Sequence, residues 1–296
     1  MTDTKGPDLV EQVTALAASE AVRTMFDLGQ EAQANACEVV RSTLGVELGL
    51  STTLVSSTAW FAQALYLNQS DKRFFPADWL EPTCRTNPDV IIACVLCQLA
   101  NYGHSVIELV SKGLDTPARA LLRATADLSY ALAALSADRE TFQSFVLDTT
   151  SPPKDHWYKL FSNRKLAQRI ARVDQTFGLP RQWTEFMPTF RETNSEFFSE
   201  AVHHSRTSIY VGAQPTVPGT DRVAFALLGG PPSGSGTTLA HLSTVLNYGL
   251  TTFVASPCER PQHEPSFAYP ECWQTGVSIH QAVQSLFLEW LKERDG

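Results

Sequence analysis

Two acid–base pairs in the sequence have the spacing that brings side chains together on one face of a helix. Glu200 and His203 are three residues apart, and Arg123 and Asp127 are four residues apart. A carboxylate beside an imidazole raises its basicity and fixes its tautomer, as a general base or a metal ligand requires. These four residues are the candidate catalytic residues. For the first pair, the alternative is an incidental contact on a solvated helix face.

The Glu200–His203 pair also matches part of the di-iron site of helical bundles, which needs two Glu-x-x-His elements and two more carboxylates. The nearest second element, His104 to Glu108, has the reverse order and a different spacing. Four possible zinc ligands lie near the end of the chain: Cys258, His263, Cys272 and His280. No two of them have the close spacing of a structural zinc site. We therefore expect no metal and no other cofactor.

A basic segment lies between residues 154 and 172, where six Lys or Arg residues stand against a single acid, Asp155. Such a helix face can bind a phosphate backbone, and the aromatic residues just upstream could stack on bases. A solvated basic face is the alternative. The candidate nucleic-acid-binding residues are Arg164, Lys165, Arg169 and Arg172.

All the candidate residues lie on predicted helices. Asn87-Pro88-Asp89 is a strong helix start, and the helix over 88–112 is apolar enough to be the central buried helix. A helix over 117–135 carries Arg123 and Asp127, and a capping-box pattern at Thr189 predicts a helix over 189–210 that carries Glu200 and His203. Further helices are predicted at 8–32, 51–68, 138–148, 156–177, 237–255 and 276–293.

Only the segment 222–228 has the pattern of a strand, with turn-forming residues on both sides. The predicted fold is therefore an all-α multi-helix bundle with at most one small β-hairpin. A proline-containing loop near residue 150 separates an N-terminal helical part, 1–150, from a C-terminal helical part, 151–296. We expect the two parts to pack together as one domain.

Composition, charge and cysteine content indicate where the protein lies in the cell and what it can bind. The net charge of −8 argues against a surface that binds polyanions everywhere, although it allows a local basic patch. Six cysteines are too few for a disulfide scaffold, and Cys94 and Cys97 lie in an apolar run where buried, reduced thiols are expected. The start of the chain has no pattern of a secretory signal, and the most apolar window, 90–100, is shorter than a membrane span of about 20 residues. We expect a cytoplasmic protein without membrane contact.

Two segments resemble a widespread group of uncharacterised bacterial helical proteins. These are the Leu-Leu-Arg-x-x-x-Asp element that ends at Asp127, where the group usually has glutamate, and the Ser-x-x-Val-His-x-Ser element from Ser199 to Ser205. The resemblance covers residues 88–212, and some members of the group are similar to the HEPN-like bundles of toxin and defence systems. It marks Arg123, Asp127 and His203, with Ser199 and Ser205 in second rank. No histidine in this sequence has an arginine at the upstream distance found in HEPN ribonucleases, which disfavours ribonuclease activity.

The leading hypothesis is a helical-bundle binding or regulatory protein of a bacterial defence or stress system. RNA or a protein would be its partner, and we expect a homodimer. The alternative is a metal-independent hydrolase or nuclease that uses His203 with Glu200 and Arg123. This alternative requires a cleft in which those three side chains converge.

Overall fold

The computed structural model describes residues 9–68, 71–79, 87–148, 150–177, 181–203, 206–217, 220–231, 234–259 and 263–295. These residues form α-helices and two short 3₁₀ helices and contain no strand, so the predicted all-α multi-helix bundle is confirmed. The helices are α1 (Leu9–Ala17), α2 (Glu20–Thr43), α3 (Gly45–Tyr66), α4 (Pro88–Ser111), α5 (Asp115–Ala137), α6 (Arg139–Leu147), α7 (Pro153–Phe161), α8 (Asn163–Thr176), α9 (Arg181–His203), α10 (Arg206–Ala213), α11 (Ser235–Ala255) and α12 (Pro270–Asp295).

Helices α3, α4, α5 and α11 form the centre of the bundle. α4 packs against α3 and α5, α11 packs against α5 and α3, and α12 covers another side of α3. Small side chains let α5 and α11 approach closely: a Cβ added at Gly249 would lie 2.3 Å from the Ser129 Oγ. α8 and α9 both pack on α5, and this second layer forms the walls of the site described below.

Helix α4 begins as the sequence predicts. The Asn87 side chain accepts a hydrogen bond from the Asp89 N–H at 3.0 Å, and Pro88 occupies the first helical position. The expectation that Cys94 and Cys97 are buried is wrong, because both are free thiols exposed on the surface of α4. By length and composition α4 could also cross a membrane, but a buried core helix meets the same criterion, so this is weak evidence.

Two predicted helices differ from those observed. The helix predicted over 156–177 is divided at Ser162 into α7 and α8. The helix predicted from Thr189 is already helical at Arg181, and the chain is again helical in α10 after residues 204 and 205, which lie outside the described residues. Thr189 is not a cap, because it lies inside α9 and its hydroxyl is directed to the Glu185 carbonyl one turn earlier, at 3.5 Å.

The strand predicted over 222–228 is also wrong. A single antiparallel bridge joins Thr216 to Val223, and the Ala224 N–H donates to the Pro215 carbonyl at 3.1 Å. Because proline has no N–H, Pro215 cannot return the second bond of a ladder. The segment is therefore an extended connection whose Val223 and Phe225 side chains are exposed.

Candidate functional site

A cleft of about 720 Å³ lies between α5, α8 and α9. Its volume is within the usual range of small-molecule sites, roughly 300–1,000 Å³. The walls are mostly apolar, with Leu166 and Ile170 from α8 and Phe198 from α9. The polar side chains that line this α5–α8–α9 cleft include Arg123, Asp127, Tyr130, Asp174, Arg191 and Glu192.

Helical periodicity places these residues on the cleft. On α5, Arg123, Asp127 and Tyr130 are separated by four and three residues, so they form one stripe. On α8, Leu166, Ile170 and Asp174 are each four residues apart. Both stripes face the space between the helices. The cleft is thus the place where one face of α5 meets one face of α8.

Arg123 connects the two segments that carry the family resemblance. Its Nε lies 3.2 Å from the Asp127 Oδ2, and its Nη1 donates to the Ser199 Oγ on α9, also at 3.2 Å. Burial raises the pKa of Asp127 above its ordinary value, and the Arg123 guanidinium opposes part of that rise. The pair therefore lies in a partly dry environment rather than on an open helix surface.

A second polar cluster joins α5, α8, α9 and α11. The Tyr248 hydroxyl donates to the Asp174 Oδ1 at 2.6 Å, and the Arg191 Nη2 lies 3.4 Å from the Asp174 Oδ2. The Arg191 guanidinium is 5.8 Å from the centre of the Tyr130 ring and 5.9 Å from that of Tyr248. Burial raises the pKa of both tyrosines, so both hydroxyls stay protonated as hydrogen-bond donors.

Two donors of this cluster are buried without a partner in the described part of the chain. They are the Arg191 Nη1 and the Tyr130 hydroxyl, and both residues line the cleft. A buried donor left unpaired costs about 1–3 kcal/mol, so unpaired buried groups are uncommon in folded proteins. Buried polar atoms without a partner also occur elsewhere in the described chain, for example at Asn247, so the cleft is a candidate ligand site because its unpaired donors lie beside a space of this size.

The other two candidate catalytic residues are placed differently. Glu200 and His203 are exposed near the end of α9, and neither is among the residues that line the cleft. No ion pair within 4.0 Å joins the two side chains in the described chain. Arg123 and Asp127 do line the cleft. Ser205, a second-rank position, lies outside the described residues.

The predicted basic face is divided between the surface and the interior. Arg164, Lys165 and Arg172 are exposed on α8. Arg169 instead donates to the Leu160 carbonyl at 3.1 Å, contacts Thr141 and pairs with Asp138 at 3.4 Å. Arg169 therefore ties α8 to α6 and α7, and three of the four basic residues remain available to a partner.

Sequence reasoning missed Tyr130, Asp174 and Arg191. Tyr130 could have been found, because it continues the stripe of Arg123 and Asp127 on α5. Asp174 and Arg191 lie on separate helices, and no periodicity relates them. Their pairing depends on how α8 and α9 pack.

Among the described residues, no group of three or more His, Cys, Asp or Glu side chains is arranged to hold a metal ion. Comparison with family models, curated proteins and solved structures returned no match. What the chain can do must therefore be argued from the geometry of the cleft.

Proposed function

We propose that this chain is a helical-bundle binding or regulatory protein that holds a small molecule in the α5–α8–α9 cleft. The observation that carries the proposal is a cleft of about 720 Å³ with apolar walls and two unpaired buried donors among its lining residues. Apolar walls with a few oriented polar groups are typical of ligand sites.

Binding is favoured over catalysis by the chemistry of the lining. The described residues around the cleft include no histidine, cysteine or serine that could act as a nucleophile. Four of its five charged groups offset one another, since Arg123 is paired with Asp127 and Arg191 with Asp174, and the fifth, Glu192, is exposed. The hydrolase or nuclease that would use His203 with Glu200 and Arg123 has no comparable support.

Helix α8 connects the cleft with the exposed basic residues that would contact a partner. One face of the helix lines the cleft through Leu166 and Ile170, and Arg164, Lys165 and Arg172 are exposed on the same helix. A ligand that shifts α8 would also shift these cations. We propose RNA as the partner that they contact, in a bacterial defence or stress setting and in the cytoplasm.

A native mass spectrum of protein purified gently from cells at low salt tests the proposal. We expect the mass of the chain plus a small-molecule adduct that denaturation releases. The variant Ala167→Trp, which fills the cleft, should lose the adduct, whereas Ala59→Trp on the exposed face of α3 should keep it. An adduct-free mass for the native protein would contradict the proposal.

The same native mass spectrum tests whether RNA is bound to the protein. We expect bound RNA in the native protein and its loss in Lys165→Glu/Arg172→Glu. Arg169 is left unchanged in this variant because it holds α8 to α6 and α7. RNA that is absent from the native protein, or unaffected by the charge reversals, would remove this partner.

A further inference from the structure

We infer that the ligand of the α5–α8–α9 cleft is a small organic anion, a carboxylate or phosphate ester on an apolar body, and that Arg191 binds its oxyanion. The inference rests on the proposed function, which says only that the cleft binds a small molecule. Four features of the cleft indicate the chemistry of the ligand: the unpaired donors, the hydrogen-bonded carboxylates, the ability of Arg191 to rotate and the apolar walls.

Both unpaired groups in the cleft can donate: the Arg191 Nη1 can only donate, and the Tyr130 hydroxyl can donate or accept. A guanidinium has five N–H donors and no acceptor, so the Arg191 Nη1 can be satisfied only by an acceptor. The Tyr130 hydroxyl is buried, with 6% of the residue exposed, and it too has no partner among the described residues. The guanidinium and the Tyr130 ring are 5.8 Å apart. One oxyanion with two or three oxygens could accept from both groups.

Two of the three carboxylates that line the cleft, Asp127 and Asp174, already accept from neighbouring side chains, and the third, Glu192, is exposed. Asp127 accepts from Arg123, and Asp174 accepts from both Tyr248 and Arg191. An amine ligand would have to compete with these bonds. An anion would meet donors that lack a partner, and this asymmetry favours an anion over a cation.

Arg191 can turn towards a ligand without leaving Asp174 unpaired. The Arg191 Nη1 and the Tyr130 hydroxyl are closed off from solvent, so side chains around them must move before a ligand reaches them, and we propose that Arg191 is the one that turns. Its contact with Asp174 is long, at 3.4 Å, whereas the bond from Tyr248 to the same carboxylate is 2.6 Å. Asp174 therefore keeps its stronger partner when Arg191 rotates.

The walls require an apolar body for the rest of the ligand. Leu166 and Ile170 line one side and Phe198 the other, and the Tyr130 ring lies at the same site. Burying an apolar group against these walls removes it from water and so favours binding. A ring or a branched chain that carries one oxyanion fits both the walls and the donors.

The test uses a matched set of probes: 3-phenylpropanoate, its amide, 3-phenylpropylamine and phenyl phosphate. Affinities for the full chain are measured by ligand-observed NMR titration. We expect the acid or the phosphate to bind about tenfold or more tightly than the amide and the amine. The tighter of the two anions identifies carboxylate or phosphate as the source of the oxyanion.

Variants separate the two proposals. Arg191→Gln should weaken anion binding about tenfold without changing amide binding, and Arg191→Lys, which keeps the charge, should retain most of the anion affinity. Ala167→Trp should abolish binding of every probe, whereas Ala59→Trp should not. Circular dichroism of each variant shows whether it is folded.

Each outcome is decisive. If the amide or the amine binds as tightly as the anions and Ala167→Trp blocks it, the anion inference is overturned and the ligand cleft stands. An anion that binds equally well to folded Arg191→Gln overturns the role of Arg191. If no probe binds in a way that Ala167→Trp blocks, the inference and the proposed cleft fall together.

Discussion

At the scale of single residues, partly buried charges hold the helices around the cleft in place. Asp115 pairs with Arg119 at 2.6 Å and accepts from Thr238 of α11 at 2.7 Å. The Arg119 guanidinium lies 4.5 Å from the centre of the Phe197 ring on α9. These contacts connect α5 to α9 and α11. Removing one partner of a buried charge costs more than its net contribution, because the other charge stays buried.

His280 makes stability depend on pH. It is 2% exposed on α12, with its Nε2 3.3 Å from the Thr251 Oγ1. Burial lowers the pKa of His280 to about 4. The unfolded chain takes up this proton below about pH 6.5 and the folded chain only near pH 4. The free energy of unfolding should therefore fall on acidification through this window, by on the order of 3 kcal/mol.

Urea unfolding at several pH values between about 7.5 and 4.5 measures the effect. His280→Leu removes the titrating group and should flatten this part of the pH dependence. A variant whose stability falls with pH as steeply as that of the native chain would contradict the prediction.

At the scale of elements, the start of α4 anchors the segment before it. The fully buried Asp89 carboxylate accepts from the Phe74 N–H at 2.7 Å, the Phe75 N–H at 3.0 Å and the Asn68 amide at 2.6 Å. Burial raises the pKa of Asp89 despite these bonds. These bonds fix the position of the Phe74 and Phe75 rings, which are completely buried in the core.

Asp89→Ala should destabilise the protein by about 3 kcal/mol or more, because it removes the acceptor of three buried hydrogen bonds. Asp71→Ala is the matched control, since Asp71 is exposed on the same segment. Urea unfolding gives both values. Equal effects of the two substitutions would show that the anchor does not stabilise the fold.

At the scale of the whole molecule, the apolar surface at the N-terminal end suggests self-association. No residue of α1 is buried, and Leu9, Val10, Val13 and Leu16 are all exposed. Phe26 on α2 is exposed as well. A contiguous apolar patch on a protein surface commonly marks an interface. This agrees with the homodimer predicted from the sequence, which stays a prediction.

Light scattering after size-exclusion chromatography should therefore give twice the chain mass of 32.6 kDa. Val13→Glu/Leu16→Glu should shift the native dimer to the mass of one chain, because it places charges in the apolar surface. A native protein that elutes with the mass of one chain at micromolar concentration would contradict the dimer.

Local signals located most helices but not all their ends. The start of α4 was predicted correctly because Asn87 and Pro88 act within one turn. Thr189 carries an equally local signal that packing overrides: Met187, Phe190 and Phe198 are buried, so α9 continues through the predicted cap. Burial of an apolar face stabilises a helix more than one cap does.

The candidate site was predicted in part for the same reason. Arg123 and Asp127 meet because they are four residues apart on one helix, which any helix at this position would bring about. The sequence alone thus determined the helical class, the start of α4 and this ion pair.

The tertiary structure decided everything that depends on which helix face is covered. It exposes Cys94 and Cys97, turns Arg169 inward and brings Asp174 and Arg191 together at the cleft. The physical reason is that each of these outcomes requires a contact between helices. Side chains from separate elements meet only when the apolar faces of those elements have been packed, and no spacing along the chain encodes that distance.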